Sequence, residues 1–108
     1  MSGLFKKFPV IHGSKLKEMI DNEPDTLFII DLRSPDKYSE GHIPCAHSIP
    51  YGNFDEQLNT IPKDKTVVLY CEAGIKSPLI VQKMKNKGCS GVYSLGGLQQ
   101  WPYELTVN

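Results

Sequence analysis

The stretch TVVLYCEAGIKSP (residues 66–78) joins a buried strand to a helix. Its first part, Thr66 to Tyr70, is almost continuously apolar, as expected for a strand that is covered on both faces of a sheet. Ser77 and Pro78 have the form of a helix N-cap followed by a first helical turn. Between the two elements lie Cys71 and a short loop that contains a glycine. Such a corner is either purely structural or a cup of backbone amides around a reactive sulfur, and the other segments are needed to choose.

Further strands are predicted on both sides of this stretch. Leu27–Ile30 is the second continuously apolar run and predicts another strand that is buried on both faces. Phe8–Ile11 is short and apolar, and Pro9 cannot donate a ladder hydrogen bond, so an edge strand is predicted there. Brief strands are also predicted over Ala46–Ile49 and Val92–Leu95.

Helical patterns separate these strands. Three apolar residues recur at helical spacing before the DNEPD segment: Leu16, Met19 and Ile20. Ser34 and Pro35 predict the cap and first turn of a short helix. The helix after Ser77 is predicted to face inward with three apolar residues: Ile80, Val81 and Met84. Gly88 stands where a left-handed C-terminal cap belongs, and a last helical turn is predicted over Gly97–Trp101.

Strands that alternate with helices at this spacing predict an α/β domain with a mainly parallel sheet. No internal repeat or low-complexity linker divides the sequence, so a single domain is expected over residues 1–108. Ligands of such sheets bind at the carboxyl ends of the strands. Both Cys71 and Asp31 are expected at such ends.

Composition limits the classes of function. The sequence has 40% hydrophobic residues, 22% charged residues and zero formal net charge, so it predicts a globular protein with no overall attraction for nucleic acid or membranes. Six lysines lie between residues 62 and 88 against two acids, which favours a solvated helix face over a dedicated partner patch and leaves open a mildly positive neighbourhood for an anion. Three cysteines form no disulfide framework and no CxxC motif, and the segment MSGLFKKFPV lacks the apolar core of a signal peptide. A reducing, cytoplasmic setting is therefore expected.

The position of Cys71 favours an anion. The unpaired amides and the dipole of the following helix stabilise a thiolate placed beneath them. Gly74 allows the loop to curl so that successive N–H groups point inward, and Lys76 adds a cation near the rim. On these grounds alone, a reactive thiol and an inert buried cysteine are about equally expected.

Three motifs shift that balance. The segments DLRSPDKYSEGHIPCAHSIP (31–50), CEAGIKS (71–77) and SLGGLQQW (94–101) together resemble the rhodanese homology domain family. That family has Asp-x-Arg, a Gly-His-Ile loop that ends in proline, a Cys-x-x-Gly-x-basic-Ser loop and a late Gly-Gly-x-x-x-Trp. The resemblance runs from about Ile11 to Trp101, with the motifs in order and at unforced spacing.

The resemblance implies a rhodanese-like fold, in which a parallel five-stranded sheet carries helices on both faces. It also implies a sulfurtransferase, in which Cys71 takes a sulfane sulfur from a donor and becomes a persulfide. The donor would be a small anion such as thiosulfate or a persulfide-bearing protein, and the acceptor a thiol or cyanide. The loop that holds the persulfide would be Glu72, Ala73, Gly74, Ile75, Lys76 and Ser77, with supporting roles for Asp31, Arg33 and His42. No metal and no organic cofactor is implied.

The chain departs from the family pattern at three positions. Lys76 stands where the family often has arginine, and a lysine cannot make a planar two-bond contact with a sulfonate. Glu72 places a carboxylate beside the nucleophile, where it opposes a dianionic donor. Cys45 stands where the family commonly has glycine. The phosphatase relatives have a loop one residue longer with arginine six positions after the cysteine, and here that position is Ser77, so phosphate chemistry is disfavoured.

Several alternatives stay open at this point. A catalytically poor module that binds or regulates a partner protein is the chief rival to the enzyme. A metal site at His42, Cys45 and His47 is disfavoured, because no fourth ligand is apparent. Cys45 or Cys89 could form a disulfide with Cys71 as a resolving cysteine. Three further features are expected to be structural, namely an Asp31–Arg33 pair, the Gly96-Gly97 turn and Trp101.

Overall fold

A computed structural model of the chain describes residues 9–108 and has a parallel sheet at its centre. Its four strands are β1 (Leu27–Asp31), β2 (Ala46–Ser48), β3 (Thr66–Cys71) and β4 (Val92–Gly97). They lie in the order β2-β1-β3-β4, and all three pairings are parallel. The predicted α/β class and the mainly parallel sheet are confirmed.

The predicted fifth strand is reduced to one bridge at the outer edge of β4. Val10 pairs in parallel with Ser94, where the Ile11 N–H donates to the Ser94 carbonyl at 3.0 Å and the Ser94 N–H donates to the Pro9 carbonyl at 2.8 Å. Pro9 therefore contributes its carbonyl and needs no N–H. Phe8, the first residue of the predicted strand, lies outside the described residues.

Helices cover both faces of this sheet. They are α1 (Gly13–Asn22), α2 (Pro35–Glu40), α3 (Phe54–Gln57) and α4 (Lys76–Asn86). One buried cluster joins α3 and α4 to alternate residues of β3, namely Val67, Leu69 and Cys71. A second cluster joins α1 and the segment around Trp101 to the intervening residues Val68 and Tyr70. Because successive side chains of a strand point to opposite faces, β3 is buried on both, as its apolar run predicts.

The helix ends follow the sequence signals in two of three cases. The Ser34 side chain accepts a hydrogen bond from the Lys37 N–H at 3.3 Å and caps α2 as predicted. Gly88, with φ +89°, ends α4 by donating its N–H to the Lys85 carbonyl, while the Cys89 N–H donates to the Met84 carbonyl. These two bonds are the Schellman motif, so the predicted left-handed cap is confirmed.

The prediction for the start of α4 is wrong. The helix begins at Lys76, Ile75 holds the cap position, and Ser77 lies inside the first turn without capping it. The Ser77 side chain is fully buried, and its hydroxyl bonds to Ser94 and to the Gly96 carbonyl instead. None of the helices in residues 9–108 is long and apolar enough to cross a membrane.

Candidate active site

Cys71 is the last residue of β3 and lies at the base of a cavity of about 330 Å³. Its side chain is nearly buried, with 4% of the residue exposed. The cavity opens at the carboxyl ends of β1 and β3, and its other lining residues are Leu32, Arg33, Ser34, Lys37, Glu72, Ala73, Ile75 and Lys76. The predicted position of the thiol at the edge where α/β sheets bind ligands is therefore observed.

Two backbone amides point at the sulfur of Cys71. The Gly74 N–H lies 3.2 Å from Sγ and the Ser77 N–H lies 3.4 Å from it. Gly74 has φ +84°, the left-handed conformation that side-chain-bearing residues rarely adopt, and this conformation curls the loop around the sulfur. With the amino end of α4 directly above, the arrangement stabilises a negative charge on the sulfur.

The loop after Cys71 packs directly on the Gly96-Gly97 backbone. β4 contains one extra residue, Leu95, because Leu69 pairs with Ser94 and Tyr70 pairs with Gly96. A Cβ on Gly97 would lie 2.9 Å from the carbonyl carbon of Ala73, and a Cβ on Gly74 would lie 2.9 Å from the Gly97 nitrogen. Contacts this short require glycine at both positions, which agrees with the packing role predicted for the turn.

A buried pair of serines links the loop to β4. The Ser77 and Ser94 hydroxyls are 2.9 Å apart, and the Ser77 hydroxyl also donates to the Gly96 carbonyl at 3.2 Å. The Cys71 thiol lies 3.7 Å from the Ser77 hydroxyl. Ser94 is a supporting residue that the sequence analysis missed, and the available signal was a small polar residue between the large side chains of Tyr93 and Leu95.

Asp31 and Arg33 form a buried pair beside the cavity, as predicted. The Arg33 Nε and Nη2 atoms donate to the Asp31 carboxylate at 2.8 to 3.1 Å, and Nη2 also donates to the Gly41 carbonyl at 2.6 Å. Burial disfavours the charged guanidinium, but the hydrogen bonds and charge of Asp31 outweigh it and raise the pKa of Arg33. The pair fixes the end of β1 and holds Arg33 at the cavity wall.

Tyr70 completes this buried network and was also missed. Its hydroxyl donates to Asp31 Oδ2 at 2.7 Å and accepts a hydrogen bond from the Ile43 N–H at 3.1 Å. Burial, together with the hydrogen bond to Asp31, raises the pKa of Tyr70 far above its usual value. The sequence shows Tyr70 only as the last residue of an apolar strand, and no local pattern indicates that its hydroxyl bonds to Asp31 and Ile43.

Two charged side chains of the loop lie at the mouth of the cavity. Glu72 Oε1 is 3.7 Å from Arg33 Nη1, and the Glu72 side chain is 62% exposed. The Lys76 ammonium lies 4.9 Å from the centroid of the Tyr51 ring, within the range of a cation–π contact. The loop therefore presents one carboxylate, which opposes an anionic donor, and one ammonium group, which attracts it.

Most of the predicted site residues converge on Cys71, but His42 does not. Its ring stacks on Tyr38 with centroids 3.7 Å apart, and its two nitrogens lie 2.8 and 2.7 Å from the carbonyls of Tyr38 and Asn108. His42 therefore supports the carboxyl-terminal segment and does not reach the sulfur. Within residues 9–108, no three His, Cys, Asp or Glu side chains are grouped so that they could hold a metal ion.

The other cysteines lie far from Cys71. Cys89 follows α4 at the amino edge of the sheet, since the next glycine, Gly91, accepts from the Val67 N–H. Cys71 is four residues further along β3, about 13 Å at the rise of a strand, whereas a disulfide needs Cα atoms within about 7 Å. Cys45 precedes β2, and β1 lies between β2 and β3. In this conformation, neither cysteine is close enough to form a disulfide with Cys71.

Cys45 occupies an unusual backbone conformation. It has φ +74° and an exposed side chain, and it is the single non-glycine residue with positive φ in residues 9–108. This region of φ is strained for residues with a Cβ. The conformation accounts for the expectation that glycine belongs at this position.

A second and larger cavity, of about 540 Å³, opens at the amino edge of the sheet. Its walls carry Lys63, Lys65 and Lys87 above an apolar floor, and Cys89 lies at its side. Of the six lysines between residues 62 and 88, Lys76 alone lines the cavity that leads to Cys71. The lysine-rich segment is thus spread over the molecule, and it does not form one anion patch around the thiol.

The sequence of this chain matches a known protein family. The sequence profile of the Rhodanese-like domain family matches residues 13–103. This chain belongs to that family. It is 36% identical over 74 residues to "Uncharacterized protein YqhL" of Bacillus subtilis, a match that covers 68% of this chain and 59% of YqhL. It is 33% identical over 94 residues to "Putative sulfurtransferase YtwF" of Bacillus subtilis, covering 87% and 90%.

Solved structures of the family show the same fold. The crystal structure of a Rhodanese-like domain protein from Staphylococcus aureus superimposes with a TM-score of 0.80 at 27% sequence identity. The match covers 93% of this chain and 98% of the other. The rhodanese-like fold predicted from the three motifs is therefore confirmed, with four strands and an edge bridge in place of five strands.

Proposed function

We propose that this chain is a sulfurtransferase that carries a sulfane sulfur atom as a persulfide on Cys71. The observation that carries the proposal is the position of the Cys71 sulfur, which lies at the base of an open cavity with two backbone N–H groups directed at it. Sulfur transfer is also the activity in the name of "Putative sulfurtransferase YtwF", and the match to this chain covers 90% of YtwF. The domain is proposed to extend over residues 1–108.

The first step is a displacement at sulfur. The Cys71 thiolate attacks the outer sulfur of a donor such as thiosulfate and forms a new S–S bond. The S–S bond of thiosulfate breaks, and sulfite leaves with the electron pair. The product is a Cys71 persulfide anion, and the amides of Gly74 and Ser77 lie where they can stabilise its charge. Arg33 and Lys76 at the cavity wall attract the anionic donor.

The second step returns the enzyme to its starting state. An acceptor thiolate, or cyanide, attacks the outer sulfur of the persulfide, and the Cys71 thiolate leaves. No oxidant or reductant is consumed, so neither a metal nor an organic cofactor is required. We place this chemistry in the cytoplasm, because the three cysteines are free and a reducing compartment keeps them so.

One observation favours a second candidate, a module that binds or regulates a partner protein and turns over sulfur poorly. Glu72 lies 3.7 Å from Arg33 Nη1 and therefore competes with an anionic donor for that cation. A persulfide-bearing protein reduces this conflict, because its persulfide group carries one negative charge fewer than thiosulfate. Poor use of thiosulfate is what the binding module predicts, whereas for the enzyme the same contact favours a protein persulfide as the alternative donor for the Cys71 reaction.

The intact mass of the protein after incubation with thiosulfate tests the proposal. We expect the addition of one sulfur atom, which is lost on treatment with dithiothreitol. Cys71→Ser should gain no sulfur and should not transfer sulfur to cyanide, whereas Cys45→Ser and Cys89→Ser should behave like the wild type. If the wild type gains no sulfur from thiosulfate or from glutathione persulfide, the binding-module candidate replaces the enzyme.

A further inference from the structure

Three large apolar side chains are exposed in or beside the loop that surrounds the Cys71 sulfur. Ile75 is 71% exposed, Leu79 is 52% exposed and Tyr51 is 37% exposed. Ile75 lines the cavity itself. Leu79 lies one turn further along α4, four residues from Ile75 and therefore on the same side of the helix. We refer to Tyr51, Ile75 and Leu79 as the rim patch.

Tyr51 is held beside the amino end of α4. The Lys76 ammonium lies 4.9 Å from the centroid of its ring, which connects the turn of Tyr51 to the loop that surrounds the sulfur. The patch is thus adjacent to the opening through which any sulfur donor must pass. Grouped exposure of large apolar side chains beside a reactive group is typical of a surface that another molecule covers.

The charges at the opening indicate the character of that molecule. Arg33 is balanced by the buried Asp31, which leaves Lys37 and Lys76 against Glu72 among the residues that line the cavity. This surface is weakly positive and is complementary to a partner that carries acidic groups beside its apolar contacts. Thiosulfate and cyanide have no apolar surface, so the rim patch contributes nothing to their binding.

The depth of the sulfur limits the shape of the partner. Cys71 is nearly buried, and the cavity above it has a volume of about 330 Å³. A cysteine on a flat protein surface cannot enter such a cavity. A cysteine on a protruding loop or tail can enter it, while residues on either side of that cysteine rest on the rim.

We propose that the rim patch docks a protein that delivers or receives the sulfur atom through a cysteine on a protruding segment flanked by apolar and acidic residues. This inference rests on the proposed function. In delivery, the Cys71 thiolate attacks the outer sulfur of the partner's persulfide. The new S–S bond forms on Cys71, the S–S bond of the partner breaks, and the partner's cysteine leaves as a thiolate.

Two synthetic peptides with one central cysteine persulfide test the docking surface. Leucine and glutamate flank the cysteine in the first peptide, and serine and lysine flank it in the second. We expect the wild type to take sulfur from the first with a kcat/KM about tenfold higher. Leu79→Ser should lower this preference severalfold, leaving the part that comes from Lys37 and Lys76, and should keep kcat/KM for thiosulfate within about twofold, because Leu79 does not line the cavity. Tyr51→Ala is a second variant with the same expected loss of preference.

Val10→Ser is the matched control. Val10 is an apolar residue of similar exposure, 59%, but it lines a different cavity with Thr66 and Tyr93. The docking surface is overturned if the wild type takes sulfur from thiosulfate yet shows no preference between the peptides. It is also overturned if Leu79→Ser and Val10→Ser keep the same preference, or if sedimentation shows a wild-type dimer that Leu79→Ser dissociates. Failure of the wild type to take sulfur from thiosulfate and from both peptides would instead overturn the proposed function.

Discussion

Arg33 Nη1 lies 3.7 Å from Glu72 Oε1 across the wall of the cavity that leads to Cys71. The other two nitrogens of the guanidinium are bound to Asp31 and to the Gly41 carbonyl. Nη1 is therefore the nitrogen that remains for an anionic ligand among the described residues. Glu72 occupies the space beside it, so a dianionic donor must displace a carboxylate before it reaches the cation.

Replacement of Glu72 by alanine should increase sulfur transfer from thiosulfate. The carboxylate is largely exposed, so its interaction with Arg33 is worth no more than about 1 kcal/mol, and we expect a two- to fivefold increase in kcat/KM at low salt. Lys76→Ala should lower the rate. Both effects should shrink as salt is added, because salt screens the interaction of each side chain with the anionic donor. Steady-state kinetics at two ionic strengths measure them.

Glu18→Ala provides the control for the Glu72 prediction. Glu18 is an exposed carboxylate on α1, which packs on the other face of the sheet from α4. Its removal changes net charge by the same amount and should leave thiosulfate kinetics unchanged. An unchanged or reduced rate in Glu72→Ala at low salt would show that Glu72 is not an electrostatic gate, and a contact with a protein partner would become its expected role.

Gly74→Ala should slow the formation of the Cys71 persulfide strongly. The new Cβ would lie 2.9 Å from the Gly97 nitrogen, so the loop must shift and its N–H must move away from the sulfur. A hydrogen bond to a charged group is worth about 1.5–3 kcal/mol, which predicts a loss of about tenfold or more in rate. Alkylation of Cys71 by iodoacetamide and sulfur loading by mass spectrometry measure the effect.

Gly88→Ala is the control that separates the effect of backbone strain from the effect of moving the Gly74 N–H away from the sulfur. Gly88 has φ +89°, close to the +84° of Gly74, but a Cβ there meets no atom within 4 Å. Both variants should lose about 1–2 kcal/mol of stability from the left-handed conformation. Equal sulfur loading in Gly74→Ala and Gly88→Ala would show that the Gly74 amide does not support the persulfide.

The parts of the site that could be predicted from sequence are those set by neighbouring residues. The apolar run of β3, the curl of the loop at Gly74 and the Gly88 cap each depend on local backbone preferences, and each is observed. The pairing of Asp31 with Arg33 also spans only two residues. Local chemistry was therefore sufficient for the strand, the loop and the cation beside it.

The remainder depended on contacts between distant segments. Tyr70 bonds to Asp31, 39 positions earlier, and Ser77 bonds to Ser94, 17 positions later. No periodicity in the sequence encodes such pairs. A serine before a proline predicts a helix cap, and nothing local to Ser77 indicates that its hydroxyl bonds to Ser94 instead. The separation of Cys89 from Cys71 likewise follows from the direction of α4, which returns the chain to the opposite edge of the sheet.

Ser77→Ala should lower stability and leave sulfur transfer nearly intact. The substitution removes the hydrogen bonds to Ser94, which is buried, and to the Gly96 carbonyl, which is half-buried, and this should cost about 1–3 kcal/mol. The backbone N–H that lies 3.4 Å from the Cys71 sulfur remains, so transfer should stay within about twofold of the wild type. Urea unfolding and sulfur loading are measured on the same variant.

Ser94→Ala is the companion variant for this prediction. It removes the hydrogen bond between the two serines but keeps the one from the Ser77 hydroxyl to the Gly96 carbonyl, so it should show a smaller loss of stability with normal loading. If Ser77→Ala loses sulfur loading as strongly as Gly74→Ala, the Ser77 hydroxyl, 3.7 Å from the thiol, takes a direct part in the reaction.

Tyr70→Phe should destabilise the protein at neutral pH and change its response to alkali. The hydroxyl donates to Asp31 and accepts from the Ile43 N–H, so its removal leaves a buried amide unpaired at a cost of about 1–3 kcal/mol. Burial raises the pKa of Tyr70 above its ordinary value of 10.0, so the folded protein keeps the proton that the unfolded chain loses. The stability from this group is therefore complete below pH 10 and falls above it, by up to about 1.4 kcal/mol for each pH unit. Urea unfolding of both proteins at pH 8, 10 and 11 should show a smaller alkaline loss in Tyr70→Phe. Parallel losses in the two proteins would mean that Tyr70 ionises in the folded state as readily as in the unfolded chain.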